Sequence, residues 1–339
     1  MKNTSKETKI IYDRLTLKEN NFYNNKKILL LGSDGFIGKA FINYFRLLLE
    51  KGKKLQLDCV DNNISSNKQK DLNYKNIHFH HVDIINFNLK KKYDLIIFLA
   101  GIASPTIYKK YPLEALEVSY NGAKKYLEYS KKNGNQFIYF SSSEIYGNPD
   151  KKNLPTNENY YGYVNSFGPR SCYDEGKRVG ETLCYIYKDY FKTKLKIIRP
   201  FNVFGPEMSK YDDRVIPKFL RNIKNNLPLT IYNHGKQTRS YCYITDAMVG
   251  FLKVISIGKV GNIYNVGNDK EEISVLRLTK IIKKVFGNHI KIKKMKYPNI
   301  YPGNEPQRRC PDLSKIKKDT NFKPIETLIK SLKYLKSYY

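Results

Sequence analysis

The sequence predicts an α/β fold, a doubly wound parallel sheet joined to a smaller C-terminal lobe. Three observations carry this prediction. Apolar runs of strand length alternate with amphipathic runs of helix length through most of the chain. The first apolar run, at residues 27–31, passes directly into a glycine-rich turn that opens a helical stretch. After Pro200 the composition changes: Pro and Gly rise, strands shorten and basic residues cluster.

The elements follow in order. Residues 1–25 are polar and read as an N-terminal extension, mobile or in contact with a partner; Ile10, Ile11 and Leu15 can form one short amphipathic turn. Strands are expected near 27–32, 55–60, 77–80, 94–99, 136–141, 195–199 and 262–266. The first of these is a continuous apolar run, as a strand covered on both faces requires. Helices are expected near 36–50, 112–132, 170–191, 213–225, 245–257 and 274–285. The sheet domain therefore spans 26–200 and is rejoined by 240–268. The lobe comprises 201–239 and 269–339. No internal repeat is visible.

The turn Gly32-Ser33-Asp34-Gly35-Phe36-Ile37-Gly38 has the spacing that lets backbone approach a pyrophosphate, with a helix N-terminus behind it presenting N–H groups to the anion. The second strand ends in Asp61, followed by Asn62. An acid there suits the two ribose hydroxyls of NAD and repels the 2′-phosphate of NADP. An ordinary strand-to-helix turn is the plainer reading of three glycines. The strand before, the helix after and Asp61 together favour NAD.

A second constellation lies further on. Tyr173 and Lys177 are four residues apart and share one helix face. An ammonium beside a phenol favours the phenolate and lowers its pKa. Such a tyrosine takes a proton from a sugar hydroxyl near neutral pH, and Ser142 upstream can hold that hydroxyl. These are the parts for hydride transfer between an alcohol carbon and a nicotinamide.

Composition is that of a soluble enzyme. The 339 residues supply ample core, and neither a membrane-length apolar run nor a signal-peptide core is present. Five scattered cysteines without a C-x-x-C pair argue against a disulfide framework or a zinc site and fit the reducing cytoplasm. No metal site is expected. His78, His80 and His81 straddle a strand end, where neighbours point to opposite faces. The net charge of +30 attracts polyanions, but the lysines run along the whole chain. A solvated basic surface is favoured over a dedicated nucleic-acid site, and the charge also attracts a diphosphate-bearing substrate.

Three blocks carry a family resemblance: Leu99-Ala100-Gly101-Ile102-Ala103-Ser104-Pro105, the stretch from Gly162 through Gly168-Pro169-Arg170-Ser171-Cys172-Tyr173-Asp174-Glu175-Gly176-Lys177-Arg178, and Arg199-Pro200-Phe201-Asn202-Val203-Phe204-Gly205-Pro206. Over residues 26–320 the chain resembles the extended short-chain dehydrogenases/reductases that act on nucleotide sugars. Within that family it is most similar to the UDP-glucuronate decarboxylases, the UDP-xylose synthase type. The resemblance implies a Rossmann domain, bound NAD, C4 oxidation by NAD+ with Tyr173 as base, loss of the carboxylate from the β-keto acid, and reduction back to UDP-xylose.

It also implies individual roles. Ser142 orients O4, Glu144 assists carboxylate loss or protonation at C5, and Arg309 reaches the sugar carboxylate. Asn202, Arg239 and Arg214 contact the sugar and diphosphate, with Ser104 and Ser143 beside them. Asp83 and Ile84, after the third strand, lie at the adenine. Leu99, Ala100 and Gly101 line the NAD pocket, and Lys177 holds the nicotinamide ribose. The family commonly forms homodimers through a four-helix bundle, for which 112–132 and 170–191 are the candidates.

Plainer readings stand beside these. Glu144 can simply brace the loop before Tyr146, Arg309 can be a surface residue beside Arg308, and Arg239 can form a structural ion pair. Arg199 is read as structural, and Asp174 and Glu175 as facing solvent. Ser33 and Asp34 depart from the small neutral residues usual in the glycine turn. Ser119 stands where the family has a helix asparagine, and Ser166-Phe167 alter the run before Gly168. Other outcomes remain: a 4-epimerase, a 4-dehydrogenase, a 4,6-dehydratase (disfavoured because Ser143 stands where an Asp acid is usual), or a non-catalytic nucleotide- or RNA-binding scaffold.

Overall fold

The computed structural model describes residues 5–66, 74–209, 212–232, 234–296 and 306–338. Its largest sheet has seven strands, ordered Ile263–Val266, Leu195–Pro200, Gln136–Phe140, Leu95–Phe98, Lys27–Leu31, Gln56–Asp61 and Ile77–His81, and every adjacent pair is parallel. All seven strands fall where the apolar runs place them. Side chains on the first strand alternate between two cores. Ile28 and Leu30 enter the cluster that contains Phe41, Phe45 and Phe251, whereas Leu29 and Leu31 enter the cluster that contains Tyr126, Tyr139 and Tyr187. Both faces are thus sealed by helices, as an all-parallel sheet requires. The chain reverses its winding between Lys27–Leu31 and Leu95–Phe98, the point where open α/β sheets leave a crevice.

Two segments differ from expectation. An additional helix, Pro105–Lys110, precedes the helical run at 112–132, which is itself broken into Pro112–Glu117, a π turn Val118–Gly122 and Ala123–Asn133. Prolines open Pro105–Lys110 and Pro112–Glu117, where a missing N–H costs nothing.

The N-terminal segment is the larger correction. Residues 5–25 are no mobile extension but carry two helices, Lys6–Asp13 and Leu17–Asn21, the first packed on the helix Ile244–Ile257 and on Phe36–Glu50. Ile11, Leu15 and Tyr23 are buried there. Ion pairs fix the docking: Arg14 Nη1 donates to Asp246 Oδ1 at 2.6 Å, and Lys253 Nζ to Glu19 Oε1 at 2.7 Å. Asp246 is fully buried and also accepts backbone N–H bonds from Ile325 and Glu326. Arg14→Ala is expected to cost about 2–3 kcal/mol, because one charge of a buried pair is left behind with partial compensation. Urea unfolding monitored by circular dichroism checks it; a change below about 0.5 kcal/mol would mean that the pair contributes nothing net.

The lobe contains a parallel pair, Leu229–Tyr232 with Ile292–Met295, and a three-stranded sheet, Glu272–Ser274, Thr238–Ser240 and Arg308–Arg309. Arg309 pairs in register with Arg239. That register brings two distant arginines to one sheet facing the crevice. No helix among the described residues is long and apolar enough to cross a membrane.

Candidate active site

The glycine turn is shaped by contacts that exclude side chains. Gly32 has φ +83° and its backbone lies against Ala100, so that a Cβ would come within 2.7 Å of Ala100 N. A Cβ on Gly38 would stand 2.4 Å from Ser33 O. Gly35 caps the helix Phe36–Glu50 without a side-chain acceptor, so backbone N–H groups at that terminus are available to an anion. This cradle fits a dinucleotide pyrophosphate. A cavity of about 1110 Å³ begins at the turn and runs across the strand ends to the lobe.

The structure places most of the proposed cofactor residues on its wall: Gly32, Asp34, Gly35, Phe36, Ile37 and Gly38 at the turn, with Leu99 and Gly101 after the fourth strand. Asp61, Asn62, Asp83, Ile84 and Ala100 lie outside the lining. Asp61 is buried and accepts N–H bonds from Asp34 at 2.9 Å and Asn63 at 2.8 Å. Asn62 Nδ2 donates to Asp83 Oδ2 at 2.8 Å. The Ile84 carbonyl accepts from Tyr126 and Lys125. The sequence assigns Asp61, Asn62, Asp83 and Ile84 to the adenosine end.

At the opposite end, the helix Ser171–Asp189 presents Tyr173 and Lys177 on one face, both buried. The Tyr173 ring stacks on Tyr108, with centroids 5.8 Å apart and 7° between planes. Lys177 Nζ donates to Phe140 O at 2.8 Å. Ser142 Oγ accepts the Glu144 N–H at 3.1 Å. Burial pushes the Tyr173 phenol up to about 12, against a hydrogen bond with Ser142. Burial also pushes the Lys177 ammonium down to about 8. The tyrosine pKa is therefore not depressed by its lysine as expected: burial raises it, Glu144 and Asp174 add to the rise, and Ser142 and Arg214 are what oppose it.

Glu144 is held between two guanidiniums. Arg309 grips it with Nη1 on Oε1 at 2.5 Å and Nη2 on Oε2 at 2.6 Å, and Arg170 Nη2 also donates to Oε2. Burial alone would raise this carboxyl; Arg309 and then Arg170 outweigh it and hold it down to about 2. Arg309 is buried, with its Nε unpartnered, so it is no surface residue.

Sequence reasoning missed Arg170 and misplaced Asp174. Asp174 is buried rather than solvent-facing, and its Oδ2 accepts from Arg170 Nε at 3.1 Å. Burial, and then the charge of Glu144, push it up to about 7. Four-residue spacing from Arg170 was the available signal.

Ser104, Ser143, Asn202, Arg214 and Arg239 all reach the same cavity. Arg214 forks onto Asp212, Asn202 donates to Ser240 O at 3.3 Å, and Arg239 Nη1 donates to Thr238 O at 2.8 Å. Arg199 pairs with Glu181 and Tyr146 behind the sheet, a structural role. His80 faces Asp58 and His81 faces Asp34. Among the described residues, no His, Cys, Asp and Glu side chains gather into a metal shell.

Residues 28–267 match the family described as NAD dependent epimerase/dehydratase. A UDP-glucuronic acid decarboxylase of Xenopus tropicalis is 31% identical over 93% of this chain and 72% of its own length. An epimerase of Methanothermobacter thermautotrophicus superposes with a TM-score of 0.81 at 24% identity, over 95% of this chain and 93% of that one. A UDP-glucuronic acid 4-epimerase of Bacillus cereus, solved with UDP-glucuronic acid and NAD, superposes with a TM-score of 0.75 at 25% identity, over 92% of this chain and 100% of that one.

Proposed function

The chain belongs to the NAD-dependent epimerase/dehydratase family, and from that premise we propose that it is a UDP-glucuronate decarboxylase that makes UDP-xylose. The observation that carries this reading is the Arg309 fork within a cleft that also holds Ser142, Tyr173 and Lys177. A planar, bidentate cation is what a sugar carboxylate needs, and Arg309 already grips the Glu144 carboxylate in that manner.

The glycine turn, Asp61, Asn62, Asp83, Ile84 and the strand end Leu99–Gly101 would hold NAD, which would supply the acceptor, and later the donor, for the C4 hydride. Tyr173 takes the C4 hydroxyl proton while Ser142 orients that oxygen and Lys177 contributes positive charge. The 4-keto sugar is a β-keto acid, so the C5–carboxylate bond breaks with its electrons passing into the ketone. Glu144 stands beside C5 for the returning proton, and Arg309 holds the leaving carboxylate until it departs as CO2. Arg239, Arg214, Asn202, Ser104 and Ser143 hold the diphosphate and sugar. The lobe, 201–239 with 269–339, is the nucleotide-sugar side of the cleft. The five free cysteines support the reducing cytoplasm as its compartment.

The test is incubation of purified protein with UDP-glucuronate and NAD+, following nucleotide-sugar mass and reduced-nicotinamide absorbance. Conversion to the pentose mass with little net NADH is expected. Accumulating NADH would mean release of the keto pentose. An unchanged mass with a new C4 epimer would favour the 4-epimerase reading instead, which the Bacillus cereus neighbour supports.

A homodimer is part of the proposal. Leu113, Leu116 and Tyr120 on one helical run, and Tyr185, Ile186 and Tyr190 on the Tyr173 helix, are exposed apolar residues on the two elements named for the bundle. Ile186→Glu with Leu113→Glu is expected to shift the sedimentation coefficient from dimer to monomer. An unshifted dimer would place the interface elsewhere.

A further inference from the structure

Asp34 departs from the small neutral residues expected in a pyrophosphate turn, and the structure shows where its charge goes. The residue is 1% exposed. Its Oδ2 accepts from Asn63 Nδ2 and lies 3.8 Å from His81 Nδ1, while its Oδ1 has no hydrogen-bond partner. The backbone N–H of Asp34 donates to Asp61 Oδ2, and the backbone N–H of Asn63 donates to Asp61 Oδ1. Asn63 therefore ties the two carboxylates together, its main chain to one and its side chain to the other. Ser66 Oγ donates to Asp61 at 3.2 Å. Among the described residues, neither carboxylate has a lysine or arginine as ion-pair partner, in a chain with 61 such residues. Burial, with the charge of Asp34 adding to it, raises the Asp61 carboxyl.

We propose that Asp34 is a second specificity determinant at the adenosine end of the dinucleotide site, forming with Asp61 a two-carboxylate wall that admits a ribose 2′-hydroxyl and rejects a 2′-phosphate. The inference rests on the glycine turn being an NAD site. A hydroxyl donates a hydrogen bond to a carboxylate, and the wall is rich in acceptors. A phosphate brings about 1.5–2 negative charges and no donor at neutral pH. Against two carboxylates in a partly desolvated site, neither of them paired with a lysine or arginine among the described residues, it is repelled twice. Asp34 acts at short range through charge, without contact to the ribose, so its effect persists when Asp61 is neutralised. The physical consequence is that replacing Asp61 alone leaves much of the selectivity in place.

The experiment is equilibrium exchange of labelled NAD on the full-length protein against unlabelled NAD or NADP, which reads relative affinity without turnover. The variants are Asp34→Asn, Asp34→Ala, Asp61→Asn and the Asp34→Asn/Asp61→Asn pair. Asp34→Asn keeps the shape and removes the charge; Asp34→Ala guards against a misfolded amide variant. Removal of the Asp34 charge is expected to raise NADP affinity relative to NAD on the order of tenfold, and again in the Asp61→Asn background. An NADP-to-NAD ratio unchanged by both Asp34 variants in the parent, and by Asp34→Asn in the Asp61→Asn background, would overturn the inference while leaving the NAD site intact. A parent protein that retains neither dinucleotide would overturn the NAD reading, and this inference with it.

Discussion

Tyr173→Phe is expected to lower turnover by about three orders of magnitude while the dinucleotide stays bound. The substitution removes one oxygen and leaves the packing. The ring keeps its stack on Tyr108, and Lys177 keeps its bond to the Phe140 carbonyl. What disappears is the only atom of this side chain that can take the C4 proton. The pH dependence sharpens the test. Burial holds the phenol up at about 12 and Lys177 down at about 8. A base must be deprotonated to act, so parent activity falls as pH drops through the tyrosine pKa of the loaded site. For that limb to lie near neutrality, the positive charge of a bound oxidised nicotinamide would have to lower the phenol pKa. The Phe variant is expected to show low residual turnover without this limb. Stopped assays of nucleotide-sugar mass from pH 5 to 9 read both quantities. A parent-like rate in Tyr173→Phe would remove Tyr173 as the base.

The sheet was readable because each strand is a short, locally complete signal. Lys27–Leu31 is apolar at four successive positions and ends in glycine, so that its strand character and the turn after it need no knowledge of distant residues. The N-terminal helices are the opposite case. Their composition is polar, and what holds them lies more than 200 residues away: Asp246 for Arg14, Lys253 for Glu19, Tyr243 for Glu7. Charge pairing across such separations leaves no periodic trace, so a polar stretch looks like an unattached one.

The site divides along the same line. Tyr173 with Lys177, and the glycine turn, are local motifs whose spacing states the geometry. The partners of Glu144 are not. Arg309 reaches it only because Arg308–Arg309 pairs with Thr238–Arg239 in register, and Arg170 only because the Tyr173 helix begins beside the Ser143–Tyr146 turn. Asp174 was misread for a related reason. Considered on its own helix it flanks the tyrosine on a side that helical geometry leaves open to solvent, but Arg170 one turn earlier folds over it. Sequence spacing marked Tyr173, Lys177 and the glycine turn; the family resemblance named Glu144 and Arg309, and tertiary register is what brings those two together.

That carboxylate half gives the second large effect. Arg309→Met is expected to lower kcat/KM for UDP-glucuronate by about 10²–10³-fold, the loss of two charge-assisted hydrogen bonds to a planar anion. Arg309→Lys should recover little of it, because a point charge cannot reproduce the fork. Binding of a neutral nucleotide sugar such as UDP-glucose should be nearly unchanged, since Arg239 and Arg214 remain for the diphosphate. The substitution also acts on Glu144. Arg309 is the largest of the charges holding that carboxyl down to about 2, so its removal leaves Arg170 and the more weakly acting Arg239 against burial, and the carboxyl rises. In the proposed reaction a substrate carboxylate that takes the Arg309 fork would take it from Glu144. Glu144 would then become easier to protonate at the moment C5 needs a proton. The two side chains therefore act as a unit, and the Glu144→Gln/Arg309→Met pair should cost much less than the sum of the single losses. Steady-state kinetics on the two single variants and the pair decide it. Additive losses would separate Arg309 from Glu144, and an unchanged kcat/KM in Arg309→Met would remove the carboxylate from this end of the cleft.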